Sequence, residues 1–145
     1  MNRVPAEVIV VLNAYVLFGI NDEHSELRQL LLLRRARRRF KVCYTDRLVL
    51  KYNDIKQGFV GQIQANLRSL GAIKQRGGRV TPTDILHLRS QHDIIVSEAC
   101  SIGAHYLITV NHLWLGNERL RNHLRETHGV EVINPDGFLR EMERR

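Results

Sequence analysis

Cysteine is nearly absent from this sequence: Cys43 and Cys100 are the only two in 145 residues. Each lies in an apolar run with no second Cys or His at ligand spacing, so a disulfide framework and a zinc finger are excluded. Two buried thiols in a reducing compartment are expected instead. Proline is scarce, with three residues, and no Pro-rich or Ser-rich linker or internal repeat divides the chain. One domain over residues 1–145 is therefore expected, large enough to bury a core without a covalent or metal staple. Long apolar runs are missing as well. The longest, near 8–20 and 30–33, are too short to span a bilayer. The N-terminus has no basic stretch leading into a cleavable apolar segment, so a cytoplasmic protein without a membrane partner is expected.

Charge is plentiful and unevenly spread. The net charge is +7, yet residues 28–51 alone hold nine basic residues against one acid, Asp46. Six of the nine crowd into eight positions: Arg34, Arg35, Arg37, Arg38, Arg39 and Lys41. A basic excess confined to one segment reads as a footprint for a polyanion, with nucleic acid first among candidates. The structural alternative is a solvated helix end, where arginines suit the negative pole of the macrodipole.

Strand and helix patterns alternate along the chain. EVIVVLN (7–13) reads as a strand apolar on both faces, as buried parallel strands are. SELRQLLLLRRARR (25–38) reads as a helix capped by Ser25, with Leu27, Leu30 and Leu31 towards the core. FKVCY (40–44) is a second strand. Thr45 then caps a helix over 46–60, with Leu48 and Tyr52 on one face. Three glycines make 71–78 a loop, and DILHL (84–88) a short third strand. Residues 92–104 have helical spacing at Ile95, Ala99 and Ile102 and stop at Gly103. HYLITVN (105–111) is the fourth strand, 117–129 a charged helix closed by Gly129, 130–133 a fifth strand, and Pro135 opens a last helix. Trp114 is expected to pack beside the charged helix, with base stacking as its functional alternative.

This order predicts an α/β fold with a central, mainly parallel sheet of about five strands flanked by helices. Ligands in such sheets gather at the carboxyl ends of the strands. Asn13 and Asn111 end the first and fourth strands and, with the helix start near Asp93, are expected at one edge. Asn at a strand end also serves plain turns.

The segments resemble, in order and over nearly the whole length, those of a PIN domain, the small α/β nuclease fold of many toxins in toxin–antitoxin pairs. VVLNAYVL is similar to an opening Val-Leu-Asp-x-Asn-Val-Leu, and TDRLVLKY to a Ser-x-x-Leu-x-x-Glu-Tyr helix. HDIIVSEACSIGAHYLITVN resembles an Asp-led helix running into Gly-Ala-Asp-Tyr-Leu-Val-Thr-x-Asp, and VEVINPDGFLREM the closing strand with Thr-Pro-x-x-Phe-Leu. The Gly-Ala-x-Tyr-Leu-Ile-Thr portion is the most specific. The resemblance implies three or four carboxylates at the carboxyl edge holding Mg or Mn for RNA cleavage.

The matching positions are nearly all substituted. Asn13 and Asn111 stand where the pattern has Asp, Lys51 where it has Glu, and Tyr15 where it has Asn. The remaining Asp is matched by His92 or Asp93, both registers being open, which leaves Asp93 as the one candidate metal ligand. Hard divalent cations need anionic oxygens, and a lysine repels them. The substitutions therefore point to a PIN-like nucleic-acid-binding protein, RNA-directed, with nuclease activity weak or lost. Two alternatives stay open: an active Mg- or Mn-dependent endoribonuclease of the toxin type using Asp93, and a non-catalytic interaction module meeting an antitoxin-like partner. A homodimer is also left open. Asp54, one turn beyond Lys51, is a further acid near the same edge. His92 and His112 adjoin candidate positions but lack zinc-site spacing. RNHLRETH, with Arg121, Asn122 and His128, loosely matches the Arg-polar-x-His arrangement of the metal-independent HEPN ribonucleases, whose all-helical fold the strand patterns contradict.

Overall fold

In a computed structural model, residues 8–19, 28–29, 31–32, 40–55, 57–58, 60–77 and 93–144 are described. The elements are β1 (Val8–Leu12), α1 (Ala14–Phe18), β2 (Phe40–Tyr44), α2 (Asp46–Ile55), α3 (Val60–Ser69), β3 (Ile73–Lys74) and α4 (Asp93–Ser101). They continue with β4 (Tyr106–Ile108), α5 (His112–Leu115), α6 (Glu118–His123), a π-helical turn (Leu124–His128), β5 (Glu131–Ile133) and α7 (Pro135–Glu143). The five strands form one parallel sheet in the order β3-β2-β1-β4-β5.

β1 sits at the centre, and its Val10, Val11 and Leu12 are buried. Apolar side chains on both faces are what a central parallel strand requires. Phe138 of α7 meets Phe40 of β2 and Tyr106 of β4 edge-on, with ring centroids 5.0 and 5.2 Å apart, so α7 spans the sheet across β1. Leu48 and Tyr52 of α2 are buried, as the spacing predicted. The Tyr52 hydroxyl donates to the Leu12 carbonyl at 2.6 Å and ties α2 to the carboxyl end of β1. Trp114 is buried in the core, as a packing residue would be.

Three sequence expectations need correction or relocation. The helix expected over 46–60 stops at Ile55, because Gly58 adopts φ +86°, a left-handed conformation an α-helix cannot contain. A separate helix, α3, follows and buries Ile63 and Leu67. The glycine-rich stretch 71–78, expected as a loop, contains β3. Gly71 (φ +62°) ends the preceding turn, and Ile73 and Lys74 then pair with Cys43 and Tyr44. A two-residue charged strand suffices at an edge, where length invites unwanted pairing. The strand expected at 84–88 lies outside the described residues, as do Ser25, Leu27 and Leu30. Among the described residues, no helix is long and apolar enough to cross a membrane.

Candidate functional site

Asn13 is 1% exposed, and every polar group it carries has a described partner. Its Oδ1 accepts from the Ala14 amide at 2.7 Å, capping α1, and its Nδ2 donates to the Thr109 hydroxyl at 2.7 Å. Its backbone amide donates to the Ile108 carbonyl at 2.8 Å. Asn111 behaves alike: its Oδ1 accepts from the Leu113 amide at 2.9 Å and caps α5, while its backbone amide donates to the same Thr109 hydroxyl oxygen at 3.0 Å. The ends of β1 and β4 thus meet at one buried threonine. Asn117 and Asn134 cap α6 and α7 in the same manner. Asn is among the strongest N-caps, since its short amide oxygen reaches the free amides of the first turn.

Lys51, 14% exposed, has its ammonium 3.7 Å from a carboxylate oxygen of Asp54. Asp54, the further acid expected near this edge, is therefore a charge partner of Lys51. His92 and the Asp93 side chain lie outside the described residues, although Asp93 is the first residue of α4. Tyr15 is 58% exposed on α1. Among the described residues, no group of three or more His, Cys, Asp or Glu is placed to hold a metal ion. At the matched positions whose side chains are described, Asn13, Lys51 and Asn111, the donors do not fit the Mg or Mn that the resemblance implies. Two neutral amide oxygens directed at backbone amides and one ammonium offer no anionic oxygen to offset a divalent cation's lost waters.

Of the basic footprint expected over 34–41, Arg34, Arg35, Arg37, Arg38 and Arg39 lie outside the described residues. Lys41 is at the amino end of β2, opposite Ile9, whereas Asn13 follows the carboxyl end of β1. Of that footprint, Lys41 therefore lies towards the edge of the sheet opposite the asparagines. Arg121 is bound locally, its guanidinium donating to the Leu115 carbonyl at 3.2 Å. The neighbouring His128 packs edge-on against His123 with centroids 5.9 Å apart. His112 is exposed at the start of α5.

A second feature lies at the carboxyl edge, and the sequence reading missed it. A cleft of about 380 Å³ is lined by Thr45, Asp46, Arg47, Lys74, Gln75, Arg76, Gly77 and Glu98. Glu98 is 1% exposed, and its Oε1 accepts from the Thr45 hydroxyl at 2.7 Å. That same Thr45 oxygen accepts from the Leu48 amide at 3.1 Å, capping α2 as expected. One signal in the sequence points to it: Glu98 falls on the stripe formed by Ile95, Ala99 and Ile102, where a charged residue is out of pattern.

No protein-family model matches this sequence, and no curated protein matches it by sequence. Among solved structures, the chain is similar to one in the crystal structure of VapBC2 from Rickettsia felis bound to a DNA fragment from their promoter. The TM-score is 0.53 at 18% identity, covering 88% of this chain and 98% of that one. A likeness at that identity speaks for the fold: an α/β, PIN-like arrangement of a five-stranded parallel sheet flanked by helices.

Proposed function

We propose that this chain is a PIN-like nucleic-acid-binding protein, directed at RNA, whose carboxyl edge does not carry out two-metal hydrolysis. The observation that carries the reading is the use of both asparagine oxygens, Asn13 Oδ1 and Asn111 Oδ1, as helix caps. With Lys51 and its ammonium beside them in the family pattern, the cluster lacks the negative charge that metal-assisted phosphodiester cleavage requires. The excess of arginine and lysine over 28–51 supports a polyanion as ligand. The DNA fragment in the VapBC2 structure supports nucleic acid in general, and the ribonuclease resemblance favours RNA.

The test incubates a mixed RNA pool with the full chain and Mn²⁺, and measures binding to the same pool across a salt series. Expected are intact RNA and an affinity that falls steeply with salt through counterion release. Metal-dependent cutting abolished by Asp93→Ala would overturn the loss of catalysis, and absence of RNA binding would overturn the binding role.

An interaction module has one observation in its favour. Tyr15, Val110 and Leu113 are exposed large apolar residues, Leu113 at 82%, each within two positions of Asn13 or Asn111. An antitoxin-like partner would cover them, and co-purification of a partner that blocks RNA binding would support this second reading.

A further inference from the structure

We propose that the cleft between β2, β3 and α4 is a subsite for one nucleotide of the bound strand, selecting guanine. Glu98 is the base acceptor, and Arg47 and Arg76 take the phosphate. The inference rests on the nucleic-acid reading above and adds to it a location and a base.

The unusual group is the Glu98 carboxylate. It is 1% exposed, and only Oε1 is hydrogen-bonded, to the Thr45 hydroxyl. Oε2 has no hydrogen-bond partner among the described residues, and the nearest Arg47 nitrogen is 3.9 Å away, beyond hydrogen-bonding reach. Burying a carboxylate with an unmet oxygen is costly, so an acceptor kept in this state marks a place for a donor. Gly77 closes over the same group. A Cβ at that position would lie 2.8 Å from Glu98 Oε1, so a side chain there would crowd the carboxylate.

The surroundings define what the donor belongs to. Arg47, in the first turn of α2, and Arg76, two residues beyond β3, are exposed cations on the cleft wall. Lys74 is paired with Asp46 at 3.0 Å, whereas Arg47 meets Glu98 only at 3.9 Å, so Arg47 and Arg76 are the cations offered to an anion. Two guanidinium groups repel a divalent cation and suit a phosphate. The cleft's volume of about 380 Å³ is within the range of small-ligand sites, roughly 300–1,000 Å³. Single-stranded RNA offers splayed bases whose Watson–Crick edges side chains can read.

Base chemistry then selects among four. A carboxylate only accepts, and guanine alone has two adjacent donors, its N1–H and N2–H₂, on that edge. Adenine and cytosine set an acceptor beside their amino group, and uracil sets its single N–H between two acceptors. Glu98 Oε2, which has no hydrogen-bond partner among the described residues, is the acceptor assigned to the guanine pair. The Thr45 hydroxyl holds Oε1.

The experiment measures binding of fluorescently labelled UUGUU, UUAUU, UUCUU and UUUUU to the full chain, beside the mixed RNA pool. UUGUU is expected to bind about tenfold tighter than the other three. Glu98→Gln is expected to reduce that preference to about twofold or less while UUUUU affinity stays within about twofold, since Gln turns a donor towards guanine's donors. Arg47→Ala with Arg76→Ala is expected to weaken all four pentamers together, and melting curves report whether each variant is folded. Equal binding of the four by the unaltered chain overturns the proposal without help from any variant. Retention of the preference in folded Glu98→Gln also overturns it. A pool that binds while the pentamers do not differ refutes this subsite alone; a pool that fails to bind refutes the nucleic-acid reading beneath it.

Discussion

The Asn13 side-chain amide donates to the Thr109 hydroxyl at 2.7 Å, and this buried contact pins the end of β1 to the end of β4. Because the same oxygen accepts from the Asn111 amide, Thr109 serves two donors. Thr109→Val keeps the shape and leaves both donors without that acceptor, so a loss of about 1–3 kcal/mol in urea unfolding is expected. Thr109→Ser retains the hydroxyl and should recover most of that loss.

Asn13→Asp is expected to lower stability, because it sets a carboxylate at a 1% exposed position and removes the amide that donates to Thr109. Mn²⁺ should not rescue the single change. Changing Asn13→Asp, Lys51→Glu and Asn111→Asp together should create a Mn²⁺-dependent rise in melting temperature, as binding to the folded state requires. A single-site variant that already responds to Mn²⁺ would show that other acids complete the cluster.

Burial pushes the Tyr52 phenol well above its ordinary value of about 10. The native chain keeps this proton where the unfolded chain releases it. The contribution is therefore complete below about pH 10 and is lost as pH rises beyond it, by at most about 1.4 kcal/mol per pH unit. Tyr52→Phe should flatten this alkaline decline in chemical-denaturation series. At neutral pH it should cost about 1 kcal/mol for the hydrogen bond to Leu12.

Burial also pushes the Cys100 thiol up to about 12. The thiolate is the reactive form, so Cys100 in the native protein should react with Ellman's reagent at pH 8 markedly slower than after unfolding in urea. Cys43 is buried and Cys100 half-buried, and both should react promptly in urea. Rapid native labelling of Cys100 would show that α4 opens readily.

Charge reversal of Arg35, Arg37, Arg38 and Arg39 to Glu should weaken RNA binding and flatten its salt dependence. On a single strand the slope should fall by roughly 0.7 for each phosphate that is no longer neutralised. Unchanged binding would remove that segment from the interface and leave the carboxyl edge as its seat.

The sheet is largely legible in the sequence because a central parallel strand must be apolar on both faces, and VIVVL and YLI satisfy that in few residues. Of the caps, Thr45 is legible, while Asn13 and Asn111 read only as strand ends or turns because the helices they open are five and four residues long. What the sequence hides depends on tertiary placement. β3 is two residues long and gains its stability from pairing with β2, so its glycine-rich flanks outweigh it in sequence. α3 is faint because its buried positions, Ile63 and Leu67 with the polar Asn66, form a thin stripe. Glu98 is inconspicuous because a lone acid in a helix ordinarily faces water, and only the fold turns it against Thr45.

The shared hydroxyl at Thr109 also bears on how such an edge changes over generations. If the asparagines replaced aspartates, a single return at position 13 or 111 meets only destabilisation, because the cation that would reward it needs the other carboxylates as well. Selection acting one substitution at a time therefore sees a barrier on the way back. Meanwhile the neutral set, with each amide capping a helix and one threonine joining the strands, is stable in itself. The edge behaves as a ratchet: once uncharged, it is free to be shaped by whatever the rest of the surface binds.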